Sequence, residues 1–280
     1  MNTALTFMRL VIGLASVVVI AIGVFALAIL ITFDDEAAEY TSGGEPIQFR
    51  RELDADLLDD YRGVFGVAHN SGNLVSTTKE ALEHGADVIE IDVISVGGKL
   101  RAAHRSPVPI LGSRFFRGPT LAEVWDAATA ADVIKLDLKK SSPAFLERLF
   151  AFLRERSDHE VVISTRDPEA LRAIAERVPE VVRLLSIPDV RSFEKLQLDE
   201  DLTTLIDGVT IRHTVLNEER VAWLRGRGLI IFAWTVNDLK RVNQLVAWGV
   251  HAINTDNLAI MELLGSQERG EAALRSLLSR

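Results

Sequence analysis

The amino-acid sequence predicts a (β/α)8 barrel preceded by a single N-terminal transmembrane helix. Beyond residue 63, short β-branched runs alternate with helix-like segments, which is the pattern of parallel strands joined by helices. There are eight such runs, the number of strands in a closed (β/α)8 barrel. Residues 11–33 form a separate apolar run without charge. An open, doubly wound sheet is the alternative to the barrel, because periodicity alone does not establish closure.

The apolar run at residues 11–33 is 23 residues long, enough as a helix to cross a hydrocarbon core of ~30 Å. A cleaved signal peptide is one alternative, although its apolar region usually has only ~7–15 residues. A buried helix of a soluble protein is another. Arg9 before the run and the acidic cluster 34–36 after it favour a cytoplasmic location for residues 1–10. We therefore expect a single-pass membrane protein with its barrel on the extracytoplasmic side.

The rest of the chain divides into a linker, the barrel and a tail. Residues 34–62 are acidic, polar and interrupted by glycine and proline, which predicts a linker. We assign residues 63–265 to the barrel and 266–280 to a C-terminal helical tail. The chain contains no cysteine, which excludes a disulfide-stapled scaffold. Its formal net charge of −9 argues against nucleic acid as a partner, and no protein partner is implied.

The eight candidate strands are short and rich in valine, isoleucine and leucine. They are 64–69, 87–93, 132–139, 160–166, 181–187, 207–213, 229–236 and 250–255. A further run, 99–104, follows the second strand too closely for a helical crossover, so we expect an antiparallel hairpin through Gly97 and Gly98. Segments 143–157 and 168–178 carry apolar residues at spacings of three and four, as helices of the outer ring should.

Two carboxylates interrupt the apolar second strand. Glu90 and Asp92 are two residues apart, so both side chains point to one side of the strand, into the barrel near its C-terminal mouth. Asp137 on the third strand adds another carboxylate at the same height. Three carboxylates suit Mg²⁺ or Ca²⁺ better than zinc. Structural ion pairs with Lys139 or Arg101 are the alternative explanation of these acids.

Two histidines lie near the same strand ends. His69 ends the first strand, and the hairpin should bring His104 back beside the second. Two histidines that flank a cation could exchange protons near neutral pH, although each alone could equally be an ordinary histidine. His213 at the end of the sixth strand is a weaker candidate. The remaining three histidines of the barrel region are interpreted as structural or exposed: His84, His159 and His251.

Together these residues resemble the glycerophosphodiester phosphodiesterase family. Its pattern has a histidine on the first strand, Glu-x-Asp on the second, a histidine after a hairpin, an acid-x-Lys on the next strand and Trp-Thr-x-Asn near the end. The corresponding residues here are His69, Glu90-Ile91-Asp92, His104, Asp137-Leu138-Lys139 and Trp234-Thr235-Val236-Asn237. Segments 119–128 and 249–256 are also similar to family elements. The resemblance spans residues 64–262 and depends on the order of six pieces.

The resemblance implies metal-assisted cleavage of a phosphodiester. Mg²⁺ or Ca²⁺ on the three carboxylates would polarise a phosphoryl oxygen, and Lys139 would contact the phosphate. One of His69 and His104 would take a proton from the attacking oxygen, while the other protonates the leaving alcohol. Trp234 would wall the substrate pocket, with core packing as the alternative.

The chain also departs from the family pattern. Asn70-Ser71-Gly72 replaces Arg-Gly after the first histidine, so Asn70 stands where a phosphate contact is expected. Arg105 replaces an aspartate, and Asp137 stands where glutamate is more common. The Asp-x-Lys pair resembles the related sphingomyelinase D/phospholipase D barrels, which implies a cyclic phosphate product as an alternative. A catalytically inactive phosphate- or lipid-binding barrel is the alternative from another class.

The loop after His104 bears on the substrate. It is short, which predicts an open mouth, and it places Phe115 and Phe116 between Arg114 and Arg117. An apolar pair flanked by cations is typical of a segment that inserts at an anionic lipid interface. Burial of both rings against the barrel is the alternative. Together with the membrane anchor, this loop predicts that lysophospholipids are cleaved at least as well as deacylated glycerophosphodiesters.

Overall fold

The computed structural model describes residues 63–105, 116–156 and 158–265 of the protein. The predicted transmembrane helix, the linker, the C-terminal tail and most of the loop after His104 lie outside these ranges. Within them, no helix combines the length and the apolar character needed to cross a membrane.

Nine strands and nine α-helices make up the described chain. The strands are β1 Phe65–Ala68, β2 Val88–Val96, β3 Lys99–Ala102, β4 Val133–Leu138, β5 Val161–Thr165, β6 Val182–Ile187, β7 Gly208–Arg212, β8 Ile230–Trp234 and β9 Ala252–Thr255. The helices are α1 Val75–Glu83, α2 Leu121–Ala128, α3 Pro143–Arg154, α4 Pro168–Arg177, α5 Val190–Gln197, α6 Glu200–Leu205, α7 Glu218–Gly226, α8 Leu239–Trp248 and α9 Leu258–Gly265. Each predicted strand is therefore present.

The sheet closes into a barrel, so the prediction is confirmed and the open-sheet alternative is wrong. Parallel neighbours follow the order β1, β9, β8, β7, β6, β5, β4, β2, and β1 pairs with β2 to complete the ring. This closing seam has two residue pairs, Val67 with Val88 and Ala68 with Ile89. Six pairs join β2 to β4. The seam is thus a short join between β1 and the strand that carries the predicted acids.

The predicted hairpin is also confirmed. Strand β3 pairs antiparallel with the far end of β2, from Val96 opposite Lys99 to Val93 opposite Ala102. Gly97 and Gly98 form the two-residue turn with φ angles of 59° and 76°. Two consecutive positive φ angles define the type I′ geometry that matches the twist of the strands, and glycine adopts it without strain.

Local capping fixes where the outer helices begin. Thr120 and Glu123 form a reciprocal capping box at the start of α2. Pro143 and Pro168 occupy the first positions of α3 and α4, where a missing N–H costs nothing. These starts follow the carboxyl ends of the strands, so each cap lies at the mouth of the barrel.

The barrel interior changes from apolar to polar along the strands. Near the amino-terminal ends, ten buried apolar side chains fill it as one cluster: Phe65, Val67, Val88, Val133, Val162, Val182, Leu184, Ile230, Phe232 and Ala252. Two residues further along, the same faces of β2, β4, β7 and β9 carry Glu90, Lys135, Thr210 and Asn254, all buried. The apolar cluster is therefore the floor beneath a polar layer at the carboxyl ends.

Gly72 controls how closely the turn after β1 approaches β2. A Cβ atom there would lie 2.3 Å from Ile91 Cγ1 and 2.8 Å from the carbonyl oxygen of Glu90. We expect Gly72→Ala to lower the free energy of unfolding by about 1–3 kcal/mol, because the added methyl displaces backbone in a packed core. Urea unfolding measures the loss as a lower midpoint at constant slope.

Gly226 provides the matched control. It ends α7, and a Cβ atom there meets nothing within 4 Å. Gly226→Ala should leave the urea midpoint unchanged or raise it slightly. A midpoint for Gly72→Ala that equals that of the wild type would contradict the close approach.

Candidate active site

The candidate site is a cavity of about 580 Å³ at the carboxyl ends of the barrel strands. Six of the eight predicted site residues line it: His69, Glu90, His104, Asp137, Lys139 and Trp234. Asp92 lies directly beneath this lining and is fully buried. Strand parity therefore brought the predicted acids and histidines to one place.

The three predicted carboxylates form a cluster. Parallel register places Asp92 of β2 opposite Asp137 of β4. One carboxylate oxygen from each of Glu90, Asp92 and Asp137 lies within 4.8 Å of the other two. Asp92 is 0% exposed and Glu90 4% exposed, so both anions need nearby compensation.

Glu90 is compensated by a lysine that the sequence analysis did not single out. Lys135 Nζ donates to Glu90 Oε1 at 2.8 Å, and Lys135 is 1% exposed. Asn254 Nδ2 donates to the other carboxylate oxygen at 2.7 Å. The sequence could have identified Lys135, because it is two residues before Asp137 and its side chain therefore points to the same side of the strand. The alternative ion-pair partner Arg101 instead donates to the carbonyl oxygen of Gly118.

Lys139 lies between the other two carboxylates. Its Nζ is 2.8 Å from Asp92 Oδ1 and also donates to Asp137 Oδ2. Burial lowers the pKa of Lys139, but the charges of Asp92 and Asp137 outweigh burial and hold it above its usual value. Burial likewise raises the pKa of Asp92, and the bonds from His104 and Lys139 bring it well below its usual range. An ammonium bound to an ionised carboxylate is the result at neutral pH.

Each predicted catalytic histidine is bonded to an aspartate through Nδ1. His104 Nδ1 lies 2.9 Å from Asp92 Oδ2, and His69 Nδ1 lies 2.7 Å from Asp256 Oδ1. A carboxylate at Nδ1 keeps the proton there and leaves Nε2 as the nitrogen that exchanges protons. The two rings are thereby prepared in the same tautomer.

The pKa of His69 is raised to about 8. Burial is the largest single effect and lowers it, but the hydrogen bond to Asp256 and the negative charges of Glu90, Asp256 and Asp92 together outweigh burial. His69 is thus mainly protonated at neutral pH. Asp256 is itself oriented by Asn237, whose Nδ2 donates to Asp256 Oδ2 at 3.0 Å.

Two further asparagines follow β1. Asn73 was missed: its Nδ2 donates to Asp92 Oδ2 at 2.9 Å, and its Oδ1 accepts from the Asp92 backbone at 3.0 Å. Asn70, predicted to contact substrate, has a left-handed backbone with φ of 55°. Its Nδ2 lies 3.4 Å from His69 Nδ1, and it is not among the cavity-lining residues. The structure therefore places Asn70 beside the histidine rather than on the cavity surface.

The remaining histidines lie elsewhere. His213 does not line the cavity, and Arg241 contacts both its ring and its carbonyl oxygen. His84 pairs with Glu262, and His251 accepts from the backbone of Ile231. The interpretation of His84 and His251 as structural or exposed agrees with these contacts, whereas the weaker candidate His213 lies outside the cavity lining.

The cluster fits a hard divalent cation. Three carboxylates with oxygens within 4.8 Å supply the donors that Mg²⁺ and Ca²⁺ prefer. The ammonium of Lys139 already lies between two of them, which shows that this position favours positive charge. Two lysines balance two of the three carboxylates and leave one negative charge in excess.

The protein is a closed (β/α)8 barrel with carboxylates and histidines at the carboxyl ends of its strands. Barrel enzymes have their active sites at this end. The chain belongs to the glycerophosphoryl diester phosphodiesterase family, whose model matches residues 101–260, more than half of its length. The family resemblance inferred from the motifs is thereby confirmed.

Individual relatives agree with this family. A glycerophosphodiester phosphodiesterase of Bacillus subtilis is 28% identical over 149 residues, which is 49% of this chain and 50% of the relative. The match thus spans about half the length of that relative.

Solved structures show the same fold at low identity. A phosphodiesterase of Oleispira antarctica, in complex with the product sn-glycerol-3-phosphate, is 19% identical with a TM-score of 0.59, covering 74% of this chain and 99% of that one. A glycerophosphodiester phosphodiesterase of Thermotoga maritima is 17% identical with a TM-score of 0.54. The match covers 70% of this chain and 96% of that one.

The buried pair of Glu90 and Lys135 can be tested by its removal. We expect Lys135→Met to lower the free energy of unfolding by about 3–5 kcal/mol in chelator, because it leaves a buried carboxylate without its cation. The double variant Glu90→Gln with Lys135→Met should recover much of this loss, since no buried charge remains. Urea unfolding of the wild type, of each single variant, Lys135→Met and Glu90→Gln, and of the double variant gives the coupling energy. Additive losses would contradict the pairing.

Proposed function

We propose that the protein is a membrane-anchored, metal-dependent phosphodiesterase that hydrolyses glycerophosphodiesters or lysophospholipids. One observation carries this proposal: two histidines, each bonded through Nδ1 to an aspartate, flank the same cavity as a cluster of three carboxylates. A protein that bound phosphate without turnover would need positive charge but not two histidines that are each oriented by a carboxylate. Family membership supports the same reaction class.

Glu90, Asp92 and Asp137 are the residues that would hold the metal. When bound, Mg²⁺ or Ca²⁺ supplies positive charge that polarises a phosphoryl oxygen and offsets the charge that develops on bond cleavage. Lys139 already lies at these carboxylates, so its ammonium is placed to contact a phosphate oxygen as well. Trp234 lines the cavity and limits the position of the substrate.

The two histidines divide the proton transfers. The raised pKa of His69 keeps its Nε2 protonated at neutral pH, which suits the general acid that protonates the leaving alcohol. His104 is then the general base, because Asp92 holds its Nδ1 proton and Nε2 accepts a proton from the attacking oxygen. That oxygen belongs to water or to a hydroxyl of the substrate. Attack by a substrate hydroxyl gives the cyclic phosphate of the related sphingomyelinase D/phospholipase D barrels.

Membrane anchoring and the lipid substrate rest on the sequence. The apolar run at residues 11–33 would hold the extracytoplasmic barrel near a bilayer, and a flexible linker of 34–62 would span roughly 30 Å. Phe115 lies outside the described residues. Phe116 is partly buried and packs on the cluster of Ile94, Val96 and Ala103 at the β2–β3 hairpin, so its ring supports the hairpin.

The proposal is tested by turnover of the full chain in detergent with glycerophosphoethanolamine and Mg²⁺ or Ca²⁺. We expect release of ethanolamine that stops in excess chelator. His69→Ala and His104→Ala should each lower kcat by about 10²–10⁴-fold, the usual contribution of a general acid or base. His84→Ala, outside the cavity, is the matched control and should retain wild-type turnover.

Two outcomes would contradict the proposal. Wild-type turnover in either cavity variant would reject the assigned roles. A wild-type protein that binds glycerol phosphate but releases no alcohol would instead support the inactive binding barrel.

The role of Asp256 predicts a change in pH dependence. A general acid acts in its protonated form, so activity declines as pH rises through its pKa. Asp256→Asn removes the charge that raises the pKa of His69, and the alkaline decline in kcat should therefore move to lower pH. Glu262→Gln breaks the similar pair at His84 and should leave the profile unchanged. An unshifted decline in Asp256→Asn would remove His69 from the role of acid.

A further inference from the structure

The cavity extends well beyond the histidines and carboxylates. Its part along β4, β5 and β6 is here named the distal half, and its polar residues are Lys140, Ser141, Thr165, Arg166, Asp167 and Ser186. At about 580 Å³ the whole cavity is large enough for a small ligand that extends past a phosphate. The distal half is therefore room for one arm of a diester.

Positive charge dominates the distal half. Lys140 and Arg166 are both exposed at the mouth, and neither forms an ion pair with a carboxylate of the described residues. Asp167 is the acid among them, and its Oδ1 accepts a hydrogen bond of 3.0 Å from the backbone of Glu169 as the cap of α4. This carboxylate is thus committed to the start of a helix.

The next carboxylate outward is also engaged. Asp189 caps α5 and accepts from the backbone and the hydroxyl of Ser192 at 2.8 Å and 2.9 Å. These hydrogen bonds are the main cause of its lowered pKa, and the charge of Arg166 adds a smaller contribution. Arg166 thus lies near an anion that already has its partners.

The cavity lining is poorly suited to a diester whose headgroup is cationic. Trp234 is the aromatic residue of the described lining, and an aromatic face is the usual receptor for a quaternary ammonium. The guanidinium of Arg212 already lies over that ring, 5.2 Å from its centre. A second cation at the same face would meet this charge.

We propose that the distal half binds the headgroup of the diester and favours headgroups that carry a negative charge of their own, a carboxylate or a further phosphate. Lys140 and Arg166 would pair with that charge, and the hydroxyls of Ser141 and Ser186 would complete its hydrogen bonds. This inference rests on the proposed function and specifies its substrate class.

Two matched substrates test it. Glycerophosphoserine and glycerophosphoethanolamine differ by one carboxylate on the headgroup. We expect the wild-type full chain to have the higher kcat/KM for glycerophosphoserine. Lys140→Gln combined with Arg166→Gln should lower the ratio of the two kcat/KM values by about five- to tenfold, the effect of one or two partly exposed ion pairs.

Arg154→Gln is the control. Arg154 is exposed at the end of α3, on the opposite side of the barrel from the cavity, and its removal should not change the ratio. Turnover of both substrates with an unchanged ratio in the double variant would overturn this inference and leave the proposed function intact. Turnover of neither substrate by the wild type would overturn both.

Discussion

The site depends on a balance of buried charge between β2 and β4. Two carboxylates from β2 and one from β4 meet the ammonium groups of Lys135, within β4, and Lys139, directly after it. Removing such charges from water costs several kcal/mol per ion unless each has a close partner. The alternation Lys135, Asp137, Lys139 provides these partners along one short stretch of the chain. This charge balance explains how a polar layer lies above the apolar floor of the barrel without unfolding it.

The two histidines each bond to an aspartate through Nδ1, but the charges around them differ. His104 shares its aspartate with Lys139 and Asn73, so the negative charge of Asp92 is divided among three donors. His69 has an aspartate on the loop after β9, and the buried Glu90 adds to the negative field around it. The two histidines therefore lie in different electrostatic surroundings despite their similar geometry.

The sequence predicted those parts of the site that follow from strand parity. Glu90, Asp92 and Asp137 stand out because carboxylates in an apolar strand have a side and a height that the period of two determines. Lys135 follows the same rule but was not singled out, since its partner Glu90 becomes evident only when β2 and β4 are in register. Asp256 is 187 positions from His69 along the chain, and the pairing of β1 with β9 brings them together. The N-terminal segment and the tail lie outside the described residues.

The shortness of the closing seam affects how the arrangement of the candidate site would be lost. His69 follows β1 directly, while Glu90 and Asp92 belong to β2, so His69 and the carboxylates lie on opposite sides of a join of two residue pairs. Joins with few backbone pairs open at lower free energy than the rest of a fold, and the β8–β9 join, which also has two pairs, shares this property. The reactive groups would then separate while the other strands stay paired. Such local opening would precede cooperative melting.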